Sequence, residues 1–145
     1  MTRDGGASDL GTLWVRLARG SWKTLAVVSP DAGDAAARLA RGLTDLAGAQ
    51  HRVVEASDAS ELKLKLSAAL GVGDPEKAGS DLPRHLRFLV PVAGALDKPG
   101  TAELLAACDS VVLLLEKGRS RLPDALRTLG LVGRERLLGA VLALP

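Results

Sequence analysis

Residues 24–43 read TLAVVSPDAGDAAARLARGL, an apolar run that passes through a short turn into a segment with helical periodicity. Four more apolar runs follow along the chain: HRVVEA (51–56), HLRFLVPVA (85–93), SVVLLLE (110–116) and LGAVLAL (138–144). They are continuously apolar rather than alternating, which is typical of strands that are buried on both faces. The pattern therefore predicts five buried strands.

A helix-period segment lies between each predicted strand and the next, near residues 33–49, 58–70, 99–107 and 121–131. Parallel strands need such crossover helices. Asp31 or Asp34 can cap the first of these helices and Asp58 the second. We therefore predict an α/β fold, a three-layer α/β/α sandwich with a mainly parallel five-stranded sheet.

The length of 145 residues favours one domain, which we place at residues 10–145. The polar, glycine-rich residues 1–9 are expected to form a flexible N-terminal tail. An amphipathic helix is predicted to follow near Leu10–Leu17. Residues 71–83, GVGDPEKAGSDLP, form the one long predicted loop, and loops of this length are often functional or disordered.

Composition excludes several classes of function. The net charge of +2 is too small to indicate a nucleic-acid surface, and 2% aromatic residues leave little for base stacking. A single cysteine, Cys108, cannot form an internal disulfide, which fits a reducing compartment. The two histidines, His51 and His85, lack the spacing of a metal site. Without an apolar run long enough to span a bilayer or a cleavable leader pattern, the chain is expected to be cytoplasmic.

The turn after the first strand is the first place to look for a ligand in an open α/β sheet. A phosphate-binding loop at that point needs glycines that let backbone amides face the anion, and a lysine that reaches the outer phosphates. It also needs a Ser/Thr hydroxyl that holds Mg²⁺. The stretch SPDAGDAAA has the layout of such a loop, yet it contains neither a lysine nor a serine or threonine after its glycine.

On these residues the chain resembles the Min/Par-type deviant Walker ATPases, a P-loop NTPase-like family. Within that family it is most similar to the cytoplasmic kinase domains of bacterial capsule and exopolysaccharide export. The family loop has the form S-P-x-P-G-E-G-K-S/T. Ser29, Pro30 and Asp31 match the lead-in. Gly33 matches the first glycine, and Asp34 stands for the acidic residue. The departures are Ala35 for the second glycine, Ala36 for the lysine and Ala37 for the magnesium-binding hydroxyl.

In other parts of the chain the order of strands and helices resembles that of the family, but the family's motif residues are mostly absent. The third strand lacks the Walker B aspartate, since FLVPVAGA is apolar throughout. The C-terminal third is similar to the family's late strand, basic turn, helix and final strand. Before the first strand, LWVRLAR keeps two arginines of the family's E-x-x-R-x-x-R subunit-contact motif, Arg16 and Arg19, but has Leu13 in place of the glutamate.

The resemblance implies a catalytically inactive pseudo-ATPase that acts as a protein-binding or regulatory module in exopolysaccharide biosynthesis or export, with no cofactor and no metal. Implied partners are a membrane polysaccharide co-polymerase, an active kinase homologue or a second copy, and a partner would hold the cytoplasmic domain at the inner membrane. The candidate partner-binding residues are Trp14, Arg16, Arg19, Lys117, Arg119 and Arg121.

Two alternatives stay open at this point. The first is an active nucleotide-binding enzyme whose cationic group comes from elsewhere, such as Arg38 or a partner subunit. The second is a regulator of cell-pole or septum positioning that shares the fold and differs only in its partner.

Overall fold

The computed structural model describes residues 13, 15–17, 19–20, 22–48, 51–70 and 87–143. Its strands are β1 (Thr24–Val28), β2 (His51–Val53), β3 (Arg87–Val92), β4 (Ser110–Glu116) and β5 (Leu137–Ala143). Its helices are α1 (Ala35–Ala47), α2 (Ala59–Leu70), α3 (Thr101–Ala106) and α4 (Leu122–Val132), and a 3₁₀ turn spans Arg134–Arg136. The predicted tail, Trp14, the predicted loop 71–83 and His85 lie outside the described residues.

The five strands form one sheet in the order β2-β3-β1-β4-β5, and every described pairing is parallel. Strand β1 lies in the centre with all five of its residues buried, which explains why its sequence is continuously apolar. The predicted α/β sandwich with a five-stranded parallel sheet is confirmed.

Helices cover both faces of the sheet, and two apolar cores result. Along β1, Leu25 and Val27 face the core under α1, whereas Ala26 and Val28 face the core under α2, α3 and α4. This alternation follows from the period of two along a strand. Leu17 and Trp22, from the segment before β1, complete the core under α1.

The two helix starts differ in their capping. At α2, Asp58 accepts a hydrogen bond from the Glu61 amide (2.8 Å), and the Glu61 carboxylate accepts one from the Ser57 amide (2.8 Å), so the predicted cap at Asp58 is confirmed. At α1, Asp34 occupies the cap position but makes no side-chain cap hydrogen bond with a described residue. The carboxylate of Asp34 pairs instead with Arg38 (3.1 Å), and that of Asp31 accepts from the Ser120 hydroxyl. The predicted side-chain cap of this helix by Asp31 or Asp34 is therefore wrong.

Arg136 ties the ends of two helices together. Its guanidinium donates hydrogen bonds to the backbone carbonyls of Leu105, in the last turn of α3, and of Cys108, two residues beyond α3. It also donates to that of Val132 at the end of α4 (3.3 Å). The last carbonyls of a helix lack partners within the helix. The Leu105 carbonyl also accepts from the Cys108 amide (3.2 Å), so Arg136 gives it a second donor. One side chain thus bonds the chain at the ends of both helices and holds α3 against α4.

Cys108 and His51, two titratable residues named from the sequence, lie at least partly within the protein. Cys108 is buried, and desolvation together with the nearby Asp109 raises the pKa of its thiol to about 12. His51 is half-buried at the start of β2, where burial and then the charge of Arg87 lower its pKa. None of the helices in the described parts of the chain is both long and apolar enough to cross a bilayer.

Candidate functional site

The carboxyl ends of β1 and β4 lie side by side, and the connections that leave them run in opposite directions. The chain after β1 crosses by way of α1 to β2, whereas the chain after β4 continues by way of α4 to the outer strand β5. Such a switch point is where ligands bind in open α/β sheets. The two segments that meet there are the β1–α1 loop (residues 29–34) and the β4–α4 turn (residues 117–121).

Arg119 reaches from the β4–α4 turn into the β1–α1 loop. Its guanidinium donates a hydrogen bond to the Ala32 carbonyl. Gly33 adopts φ 122°, a conformation that favours glycine, and a Cβ atom there would lie 3.4 Å from Arg119 Nη1. The glycine thus permits both the turn and the close approach of the guanidinium.

A second contact joins the same two segments. The Ser120 hydroxyl donates a hydrogen bond to the Asp31 carboxylate and accepts one from the Glu116 amide (2.8 Å). Glu116, in turn, lies 3.6 Å from the guanidinium of Arg119. Two contacts therefore hold the β1–α1 loop against the β4–α4 turn: the Arg119 guanidinium on the Ala32 carbonyl, and the Ser120 hydroxyl on the Asp31 carboxylate.

The β1–α1 loop is also held from its other side by the chain that follows β3. The Gly94 amide donates to the Asp31 carbonyl (2.9 Å), and the Ala95 amide donates to the Ser29 carbonyl (3.1 Å). The Ser29 hydroxyl accepts a hydrogen bond from the Asp31 amide (3.2 Å), and Ser29 is buried. This fits the ordinary role of a serine at a strand end, which is to bond the nearby backbone.

The three alanines after the loop begin α1, and the middle one points into the core. Ala36 is completely buried and shares a face with Ala40 and Leu43, at the spacing of one helical stripe. Ala35 and Ala37 are half-buried. The position that the family resemblance assigns to a lysine is therefore a packing position under the sheet, not a position at the mouth of the loop.

The remaining charges near the loop comprise one local ion pair and two exposed cations. Arg38 pairs with Asp34 across one turn of α1, and both side chains are largely exposed. A pair this exposed contributes little to stability because water screens it. Lys117 and Arg121, which flank the turn, are exposed.

The other candidate partner-binding residues lie elsewhere. Arg16 and Arg19 are exposed in the segment before β1, and Arg19 directly precedes Gly20, whose carbonyl accepts from Arg87 at the amino end of β3. That is the opposite end of the sheet from the β4–α4 turn. The predicted β1–α1 loop and the predicted basic turn are thus in contact. Arg16 and Arg19 lie far from both.

A groove that was not predicted lies at the carboxyl end of the edge strand β2. It has a volume of about 420 Å³ and is lined by Arg41, Val53, Val54, Glu55 and Lys65. Lys65 donates to the Glu55 carbonyl and lies 3.8 Å from the Glu61 carboxylate. Its lining is mixed in charge, and no motif in the sequence signals it.

No protein-family model matches this chain, and no curated protein matches it. The function of the switch point is therefore inferred from the geometry of this chain.

Proposed function

We propose that this chain is a catalytically inactive pseudo-ATPase domain that serves as a protein-binding module. The observation that carries the proposal is the contact of Arg119 with the β1–α1 loop. An anion-binding loop turns its backbone amides toward the ligand. This loop turns the Ala32 carbonyl toward a cation from its own chain, and that cation lies against Gly33.

The charges and packing around the loop support the same conclusion. Two carboxylates, Asp31 and Asp34, belong to the loop, and position 36 holds a buried alanine where the family pattern has its lysine. A triphosphate placed here would face these carboxylates and would have to displace Arg119 from both Ala32 and Glu116. Without compensating contacts, removing its charges from water costs several kcal/mol.

A second candidate, an active enzyme with a cation supplied from elsewhere, is favoured by one specific observation. Arg119 brings a guanidinium next to Gly33, where a phosphate would need one. In this reading Arg119 releases the Ala32 carbonyl when nucleotide arrives. Arg38, the other cation considered for this role, pairs with Asp34 on the exposed side of α1 (3.1 Å).

The proposed surface for the partner is the exposed side of the β4–α4 turn together with the start of α4. Lys117 and Arg121 are exposed there, and Leu122, which follows directly, is 72% exposed. Cations beside an apolar side chain suit an acidic, partly apolar protein segment. By the family resemblance, the proposed setting is exopolysaccharide assembly, and the proposed partner is a membrane co-polymerase or an active kinase.

A charge-reversed variant tests this surface. Lys117→Glu combined with Arg121→Glu is expected to weaken binding to the purified cytoplasmic segment of a polysaccharide co-polymerase, or to an active exopolysaccharide kinase, by at least about tenfold. Arg119 stays unchanged because it holds the loop. Titration calorimetry measures the affinity, and Arg127→Glu, at an exposed arginine within α4, is the control. Equal losses in both variants, or no binding by the wild type, would count against the proposal.

A further inference from the structure

The outer face of α4 carries a row of apolar positions that no described part of the chain covers. Leu122 is 72% exposed and Leu126 is 59% exposed. Gly130 is exposed as well, and a Cβ atom there would meet nothing within 4 Å beyond its own stretch of helix. Each of the three residues follows the last by four positions, so they form one row along the helix, with a gap at the glycine. The buried residues of α4 lie on another side of the helix: Ala125, Thr128 and Val132.

A helix suits this row better than an extended segment does. The row offers side chains and no free backbone groups, because the backbone of α4 is hydrogen-bonded within the helix. An extended segment laid on it would leave backbone groups without partners in an apolar contact, whereas a helix satisfies its own. Rows of residues four apart are also the ridges that pack into the grooves of a second helix. The gap at Gly130 leaves room for a large side chain of that helix.

The charges around the row favour an acidic partner over a second copy of this chain. The β4–α4 turn and α4 together hold four cationic side chains and one carboxylate, Asp124. Two copies joined at this face would therefore bring two basic surfaces together. Lys117 and Arg121 are exposed just before the row, where acidic side chains of an unlike partner can pair with them. Arg127 lies about 100° around α4 from Leu126, so it stands beside the row rather than in it.

The row also suits a protein better than a lipid surface. Helices that lie on membranes carry a broad apolar face, commonly with Trp or Phe. The row on α4 has two large side chains, both leucines, and α4 contains no aromatic residue. Trp22 and Phe88, the aromatic side chains that the structure describes, are buried elsewhere.

We propose that the partner of this surface binds through an acidic amphipathic helix that crosses α4. Its apolar residues contact Leu122 and Leu126, and one of them fills the gap at Gly130. Its acidic residues lie near Lys117 and Arg121. This inference rests on the proposed protein-binding function, and it adds the kind of element that the partner contributes.

Substitutions along the row test the inference with the same two partner proteins, the co-polymerase segment and the active kinase. Leu126→Ser removes an apolar contact, and Gly130→Leu fills the gap with a side chain that the open space beside this helix accommodates. Each is expected to weaken the affinity measured by titration calorimetry by at least about tenfold. Leu64→Ser is the matched control, since Leu64 is also 59% exposed but lies on α2, and it should bind as the wild type does.

The outcomes separate this inference from the proposed function. A wild type that binds neither protein means that the proposed function fails, and the inference falls with it. Weaker binding by the charge-reversed variant at Lys117 and Arg121, with unchanged binding by Leu126→Ser and Gly130→Leu, overturns the inference alone. Equal losses in Leu126→Ser and Leu64→Ser overturn it as well.

A model peptide tests the chemistry of the row directly. The probe is a peptide of about 18 residues, long enough to form a helix, with leucines at helical spacing and glutamates at the other positions. In an NMR titration it is expected to shift the amide signals of Leu122, Leu126 and Gly130 more than a peptide with lysines in place of the glutamates. Vesicles of phosphatidylglycerol are expected to leave these signals unchanged. Equal shifts with both peptides, or loss of the signals with vesicles, would overturn the inference, and the second result would indicate a membrane surface instead.

Discussion

Replacing Ala36 with lysine is expected to lower the free energy of unfolding by about 3–5 kcal/mol, the usual cost of an uncompensated buried charge. Ala36 is completely buried in the core that also contains Leu25 and Leu43. A lysine there must either leave its ammonium group without a partner in that core or push α1 away from the sheet. The change therefore cannot restore a phosphate-binding loop, although it restores the residue that the family pattern contains.

Urea denaturation of Ala36→Lys and Ala36→Met separates the two contributions to this loss. Methionine adds a similar chain without a charge, so it reports the cost of overpacking alone, about 1–3 kcal/mol. The charged variant should be the less stable of the two at neutral pH, and the difference between them should shrink at alkaline pH as lysine loses its proton. An Ala36→Lys protein that is as stable as the wild type and binds ATP would show that position 36 faces the loop.

The second large effect is expected at Arg136. Arg136→Ala should destabilise the protein by about 2–4 kcal/mol, because it removes three charge-assisted hydrogen bonds and takes this donor away from the Cys108 and Val132 carbonyls. Arg136 contacts the Leu105, Cys108 and Val132 carbonyls from one position. Arg136→Lys should lose part of this stability, since an ammonium group cannot spread over three acceptors as a guanidinium does.

Arg134 provides the matched control for this measurement. It lies in the same 3₁₀ turn and is exposed, so Arg134→Ala should change the stability by less than about 0.5 kcal/mol. Chemical denaturation of both variants gives the comparison. Equal stabilities for Arg136→Ala and Arg134→Ala would mean that the contacts at the helix ends are not what holds α3 against α4.

The three inner strands, β1, β3 and β4, were the most predictable part of the fold, because burial on both faces leaves a continuous apolar signal. The prediction that all five strands are buried is wrong for β2 and β5, whose residues alternate between half-buried and exposed. The prediction was least accurate at β2, which ends at Val53 although the apolar run continues. This strand is short and lies at an edge, where β3 is its one partner among the described strands. The order of the strands was not predicted, since the apolar pattern of a strand does not say which strand lies beside it.

That missing order explains what was missed at the site. The β1–α1 loop and the basic turn were predicted as separate features, yet Arg119 and Ala32 are 87 positions apart in sequence and in contact. Ser120 was not predicted at all, because nothing local in the sequence couples it to Asp31. The burial of Ala36, by contrast, agrees with the sequence pattern. Ala36, Ala40 and Leu43 are spaced as residues i, i+4 and i+7, which places them on the same, core-facing side of α1.

Thermal melting with and without ATP and Mg²⁺ tests the central claim most directly, which is that the loop closed by Arg119 does not hold a nucleotide. The wild type is expected to melt at the same temperature in buffer, with ADP and with ATP and Mg²⁺ at millimolar concentration. A nucleotide present at a hundredfold excess over its dissociation constant would add about 2.7 kcal/mol to the stability. A rise in melting temperature that corresponds to such a gain in stability would contradict the claim. If Arg119→Ala abolished the rise, Arg119 would be identified as the cation of a working nucleotide site.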